Sequence, residues 1–543
     1  MFGRFLIKIA VLLVALPAFA DWSPIQGIPE PSFGVNEVAP PVPDSWNSQV
    51  AGFYYVDPTH PNATDSNNSN GYPDRPRVRV PSSIPAGAVV EVHGTISRRV
   101  TVNSSGTADK PIFIRGESYE KRPTFQYYLY LEGSYIIVEN IKTQPTSSQG
   151  NGSSGLKIKE GAHHIAVRDA EISGSGNNYK TGGIGIGSWG YSGSETVDNV
   201  LLNRLDIHDI GDMTVNFDQD GHGVTVSGNS QNIWIVNSSM QRFSGDGVQI
   251  EAQHKRGADS IHHVFIGNNT ISNNKQTALW VKHARDVVFS SNHMYGMRRS
   301  DSSNGPCAGY QYSALNVWFI HNRVHDCEQG IVGVSGDSGE QGSVYHVNNT
   351  IYDIHSSMPN NPHQSGGIML RMSNVDQYVI GNTIVGSDVA ISAPIRSGNL
   401  KVIGNVLVDN GKEFGSDVYF ERIVDNMVFD NNIVYRNPNI RLNWNGTIYN
   451  SLAALYNGKS QCGNCTEEAP TFVNPGAENF SLAAGSIAPD MNHPVIQEVY
   501  NRYYELYGVP LAGEGEVPAP MPAPATSSPP EAPSNISIQF LGN

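Results

Sequence analysis

Charge, cysteine and aromatic residues are all scarce in this sequence. Of 543 residues, 16% are charged, 9% are aromatic and four are cysteine. A chain so poor in charge and so rich in Asn is not a helical bundle, which would be dominated by Ala, Glu, Lys and Leu. Cations are the scarcer sign, 35 Lys and Arg against 50 Asp and Glu, for a net charge of −15. That balance argues against binding nucleic acid or an anionic membrane surface, although a local basic groove remains compatible with it. The 55 Gly and 33 Pro stay below the level of a low-complexity or collagen-like protein. Long apolar runs are missing after the first twenty residues, so no membrane insertion is expected. What is present is 39% apolar residues, enough for a large core in several domains or in one elongated repeat.

Residues 1–20 combine Arg4 and Lys8 with the apolar stretch Ile9 to Leu16 and the small-x-small end Ala18-Phe19-Ala20. This is the pattern of a secretory signal peptide, and the expected location is secreted or periplasmic. Export permits disulfides. Cys462 and Cys465 sit in a Gly/Asn loop, where a local staple is expected, and Cys307 with Cys327 is a second candidate bridge. Residues 21–52 read as an N-terminal extension. Residues 513–543, rich in Pro, Ala and Ser up to Pro533, read as a linker or tail.

The middle of the chain repeats a pattern of two or three apolar residues, one or two polar ones, Asn, a polar residue and an aliphatic one. Copies centre on Asn203, Asn269, Asn292, Asn322, Asn349, Asn382, Asn405 and Asn432, with Ser238 in place of Asn in one. Their spacing of 23–35 residues suits one coil of a solenoid, and the period-two alternation makes each coil from strands. An Asn at a fixed turn fits, because its amide can bond turn backbone and the Asn of the next coil.

With these repeats, the opening Val89-Val-Glu-Val-His-Gly-Thr95 and the closing Phe480-Ser-Leu-Ala-Ala-Gly-Ser-Ile-Ala-Pro-Asp490, the sequence resembles the right-handed parallel β-helix superfamily that includes pectate lyases. The resemblance covers roughly Val89 to Asn474. It implies an all-β fold, a single right-handed parallel β-helix solenoid over residues 53–490. The segment from Phe53 is expected to cap its N-terminal end, with a C-terminal helical segment over 491–512.

A second strand per coil is expected to stack into a wall with outward ladders. One ladder runs Lys157, Gly185, Thr225, Gln249, Trp280, Gln311, with Met369 further on. The next runs Lys159, Gly187, Ser227, Glu251, Lys282, Ser313, with Arg371 further on. Trp280 reads either as a platform for a sugar ring or as packing beneath a loop. Lys282 reads either as a base that removes a uronate C5 proton or as a cross-strand ion pair with Glu251. Lys255, Arg256, His283 and Arg285 add cations nearby. Asp218-Gln-Asp220-Gly-His222 places His222 beside Asp246 of the next coil, as an acid/base pair or as a corner turn. The Asp-x-His arrangement is similar to the motif of β-helical alginate C5-epimerases, with Gly221 where that family has Pro. The Glu251, Lys282 and Asn292 spacing is similar to that of the chondroitinase B and alginate lyase family, which implies Ca²⁺ on acids such as Asp218, Asp220, Asp246 and Glu251. Arg285, Arg298 and Arg371 are candidates for neutralising a substrate carboxylate, because a guanidinium can bind it through two hydrogen bonds.

The expected function is that of a polysaccharide lyase acting by β-elimination on a uronate-containing polymer. Asp220, His222, Asp246, Glu251, Lys282 and Arg285 are its catalytic candidates; Gln249, Lys255, Arg256, Trp280, Arg298 and Arg371 are its substrate contacts. The alternatives are a glycoside hydrolase using two of the acids, a C5-epimerase, and a non-catalytic polysaccharide-binding or adhesin β-helix. The expected partner is an acidic polysaccharide, bound by a monomer without an organic cofactor.

Overall fold

Each coil is built from short strands separated by single left-handed residues, and parallel register between coils defines the architecture. The computed structural model describes residues 22–43, 46–146, 153–174, 181–252, 258–334, 342–358, 361, 364–373, 375–394, 399–412, 415–422 and 426–511. The signal-peptide segment, the Pro-rich tail, Lys255 and Arg256 lie outside these. Three walls wind around one apolar core. The front wall includes Ser153–Ile158, Thr181–Ile186, Val224–Val226, Val248–Glu251 and Ile368–Leu370. The back wall includes His163–Arg168, Val197–Asn203, Ser230–Val236 and Ile261–Gly267, and the side wall is a separate sheet of 13 strands. Front and back are continuous because Leu279–Ser290 and Pro306–Ile320 each run through the corner, turning at His283 (φ 48°) and Tyr312 (φ 58°), whose rings stack. Coil-to-coil pairing is parallel throughout these walls, as in Val224↔Val248 and Val248↔Leu279. A parallel crossover of this kind winds right-handed.

The Asn ladder holds the corner between back and side walls. Asn269, Asn292, Asn322, Asn349, Asn382, Asn405 and Asn432 are buried, and each Nδ2 from Asn269 to Asn405 donates to the Oδ1 of the next at 2.8–3.1 Å. The same Oδ1 accepts the preceding Asn backbone N–H, so each amide replaces backbone partners that the turn lacks. The residue before each ladder Asn is left-handed. Asn268, Ser291, His321 and Asn348 have positive φ, and glycine supplies it at Gly381 and Gly404. The copy at Asn203 is displaced. Asn203 pairs with Val236, and the rung below Ser238 is occupied by Leu205, whose N–H donates to the Ser238 hydroxyl. Replacing Asn349 by Ala orphans the Asn322 backbone N–H and the Phe319 carbonyl, each at about 1–3 kcal/mol. Chemical denaturation is expected to show a loss of about 3 kcal/mol, where an Ala at the exposed Asn216 shows almost none.

The back-wall strands are apolar on both faces, as in Ile233-Trp-Ile235 and Val264-Phe-Ile266. Their inward residues join the solenoid core. Their outward residues form a second core with Ile25, Ile28 and Phe33 of the N-terminal extension and with α2 (Pro494–Tyr507). Strand Phe53–Val56 pairs in parallel with Val89–Val92 and so adds a rung to the back wall. At the other end, the Leu442–Trp444 and Thr447–Tyr449 hairpin and α1 (Leu452–Lys459) cover the core through Trp444, Leu452 and Leu455. Both disulfides form, Cys307–Cys327 and Cys462–Cys465.

Candidate functional site

The front wall carries a cleft of about 460 Å³ between two loops that precede its strands. One loop, residues 211–222, bears Asp218, Asp220 and His222. The other, residues 298–305, brings Ser300, Asp301, Ser302, Ser303 and Asn304 to the opposite side. The floor comes from the outward ladders. Gln249 pairs with Trp280 as expected, but Trp280 pairs with Gly309, and Lys282 with Gln311. The expected rungs at Gln311 and Ser313 are therefore two residues late, because this strand opens at Pro306, ahead of the Gly309 that looks like its start. The Trp280 indole lies across Gly309, where an added Cβ would stand 2.2 Å from Cζ3. It is half-buried and lines the cleft, which retains the platform reading. Met369 falls on the Trp280 ladder but is fully buried.

Three expected site residues converge around one imidazole. His222 is 6% exposed and level with Asp246. Its Nδ1 accepts the Asp246 backbone N–H at 2.9 Å, which leaves the proton of neutral imidazole on Nε2. The two nitrogens stand 3.5 Å from Asp246 Oδ2 and 3.9 Å from Asp220 Oδ1. The backbone of Asp246, rather than its carboxylate, thus fixes the tautomer.

The carboxyl groups differ in environment. Asp246 is buried and accepts two donors, the Thr277 hydroxyl at 2.6 Å and Gln249 Nε2 at 2.9 Å. Asp218 accepts Gln276 Nε2 at 2.6 Å. Partial burial, then the adjacent Asp220 through a hydrogen bond and its charge, push the Asp218 carboxyl up. Lys282 pairs with Glu251 at 3.3 Å, the ion-pair alternative. Arg371 lines the far end of the cleft, three rungs and about 14 Å from Lys282. Burial pushes its guanidinium down.

Two expected contacts lie elsewhere. Arg285 is beyond the corner, paired with Asp259 and Asp286, because the strand turns at His283 and carries it onto the back wall. Arg298 pairs with Asp326 outside the cleft lining. The proposed Ca²⁺ acids do not fit one ion. Glu251 is tied to Lys282, Asp246 to Thr277 and Gln249, and no group of three or more His, Cys, Asp or Glu among the described residues is arranged to hold a metal. Sequence reasoning missed Lys275, Gln276 and Thr277. No motif marks them, since their contacts depend on which coils stack.

Wall and ladder together define a right-handed parallel β-helix, an assignment that rests on the strand register. No family model and no curated protein matches the sequence. Among solved structures the chain is similar to a GH136 lacto-N-biosidase from Eubacterium ramulus, at 13% identity and TM-score 0.43, over 70% of this chain and 66% of that one. It is also similar to the periplasmic alginate epimerase AlgG, at 10% identity and TM-score 0.39, over 64% and 79% of the two chains. A mannuronic acid specific polysaccharide family 6 lyase from human gut microbiota is similar at 16% identity and TM-score 0.42, over 65% and 82%.

Proposed function

We propose that the chain is an exported carbohydrate-active enzyme that hydrolyses glycosidic bonds by acid/base catalysis in the front-wall cleft. One observation carries this reading: carboxyl groups in opposite environments share the cleft. Desolvation and the adjacent Asp220 push Asp218 toward holding a proton, whereas Asp246 is buried and accepts the Thr277 hydroxyl and Gln249 Nε2. The contacts through His222 keep Asp220 and Asp246 less than about 10 Å apart, compatible with the ~6.5–9.5 Å that leaves room for a water in single displacement. The Asp218/Asp220 pair gives its proton to the leaving glycosidic oxygen. Water attacks the anomeric carbon and yields a proton to Asp246, inverting the centre. Trp280 supplies an apolar face for one ring.

The described lining has four acidic side chains, Asp218, Asp220, Asp246 and Asp301, three of them charged when Asp218 and Asp220 share a proton, against Lys282 and Arg371, and Lys282 is paired with Glu251. That balance favours a substrate with few charges over a polyanion. A second reading, β-elimination on a uronate polymer, is favoured by Lys282 and Arg371 lining the same cleft.

Incubation with neutral glycans (xylan, galactan, arabinan) and acidic ones (alginate, pectate, chondroitin, hyaluronan, ulvan) separates the two. New reducing ends without a rise in ultraviolet absorbance are expected. A rise from an unsaturated uronyl product overturns hydrolysis in favour of elimination, and silence on the whole panel favours a binding module.

A further inference from the structure

The turn ahead of strand Leu279–Ser290 reaches both rims of the cleft and Asp246 between them. Asn274, Lys275, Gln276 and Thr277 are buried, between 3% and 8% exposed. Asn274 closes the turn by donating from Nδ2 to the Thr277 carbonyl at 3.1 Å, while its Oδ1 accepts the Phe243 N–H. The three side chains that follow reach three different places. The Lys275 ammonium donates to the carbonyls of Val215 and Phe217 on the acid-bearing loop. Gln276 holds Asp218, and the Thr277 hydroxyl holds Asp246. The turn's own backbone serves the other rim, because the Lys275 and Gln276 carbonyls accept the hydroxyls of Ser300 at 3.0 Å and Ser303 at 3.3 Å.

Lysine is among the side chains least often buried, and a buried ammonium must be satisfied by strong acceptors. Here those acceptors are carbonyls of a loop that otherwise extends into solvent, with Phe217 49% exposed. The C-terminal end of the acid-bearing loop is anchored by the Gly245 N–H on the Gly221 carbonyl and the Asp246 N–H on His222 Nδ1, whereas its middle, from Val215 to Asp218, is held by Lys275 and Gln276. Its internal bonds, Asp212 N–H to Gln219 and Thr214 to Asp212, tie the loop to itself. Gln276 and Thr277 are adjacent in sequence, so one turn holds both Asp218 and Asp246.

We infer that residues 274–277 are a positioning element that fixes the two carboxyl groups at one separation and couples both rims of the cleft. Its catalytic consequence rests on the hydrolytic reading above; its mechanical consequence does not. Acid/base catalysis needs both groups within hydrogen-bond reach of their targets at once, and small displacements are costly. Removing the hydroxyl that orients Asp246 therefore acts on turnover, whereas the sugar contacts made by the floor remain.

Thr277→Val is nearly isosteric and removes only the donor. It is expected to lower kcat by about tenfold or more with KM within about twofold, and Thr277→Ser to restore most of the loss. Hydrogen exchange supplies the second arm. Lys275→Met, with Gln276→Ala as the milder variant, is expected to raise exchange in residues 211–222 and 298–305 together while the Asn-ladder coils stay protected. An unchanged kcat in Thr277→Val, or faster exchange in one rim only, overturns the inference. If the wild type hydrolyses nothing on the glycan panel, the hydrolytic reading fails, and the exchange arm still decides the coupling.

Discussion

Asp246→Asn is expected to cut turnover by about 10³-fold, within the range a positioned general acid or base contributes, and to leave the fold intact. The substitution keeps the shape of the side chain. One oxygen remains to accept from Gln249 Nε2 or from Thr277, and the Thr277 hydroxyl can rotate to accept from the new amide. His222 keeps its partner, because that partner is the backbone N–H of residue 246. What disappears is the proton acceptor. Steady-state rates on any glycan that the wild type cleaves, with thermal unfolding in parallel, check this. Lys282→Met provides the contrast. Lys282 is paired with Glu251 at 3.3 Å, so its loss is expected to cost hydrolysis less than about tenfold, the scale of a partly exposed ion pair. The reverse order, with Lys282→Met inactive and Asp246→Asn active, would sink hydrolysis and leave Lys282 as the base of an elimination.

The parts of this site that could be read from sequence are those with a period. The aliphatic alternation of Gly223-Val-Thr-Val and Gly247-Val-Gln-Ile sets the register that puts His222 level with Asp246 and Gln249 beside Trp280. Period fails where a strand has no Gly to mark its start. Pro306–Ile320 opens three residues before Gly309 and pairs Ala308 with Leu279, so Gln311 rather than Ser313 stands beside Lys282. It fails again at Asn203, where the pattern matches but the register places Leu205 on the ladder. The Lys282–Glu251 pair was legible as one of two alternatives, since residues on adjacent rungs of one face must meet; which role wins depends on geometry. Arg285 was misplaced because a single left-handed residue, His283, carries the strand around a corner without any turn signal in the sequence. Contacts of Lys275, Gln276 and Thr277 join segments about 30 to 60 residues apart, and no local pattern encodes them.

The second apolar core had a signal, in the triplets Val200-Leu-Leu202, Ile233-Trp-Ile235 and Val264-Phe-Ile266. A strand apolar at consecutive positions is buried on both faces, so something must cover the outside of the back wall. The cover consists of residues 22–43 and α2, joined through Tyr503. This side chain is fully buried, its hydroxyl donates to the Gly27 carbonyl, and its ring meets Trp318 edge-on at 4.8 Å. Trp318 stacks on Tyr345 at 3.6 Å, which continues the outward ladder. Tyr503→Ala is therefore expected to cost about 3–5 kcal/mol, the loss typical of a buried aromatic, because neither the helix nor the extension can collapse into the gap independently. The neighbouring Tyr504 is 48% exposed, and its replacement by Ala is expected to change stability by less than about 0.5 kcal/mol. Denaturant unfolding followed by tryptophan fluorescence measures both. In Tyr503→Ala the emission is expected to report release of the cover from Trp234 and Trp318 at lower denaturant than loss of β-sheet circular dichroism. Coincident transitions would mean instead that cover and solenoid unfold as one unit, and equal losses in the two variants would mean that the outer core contributes little.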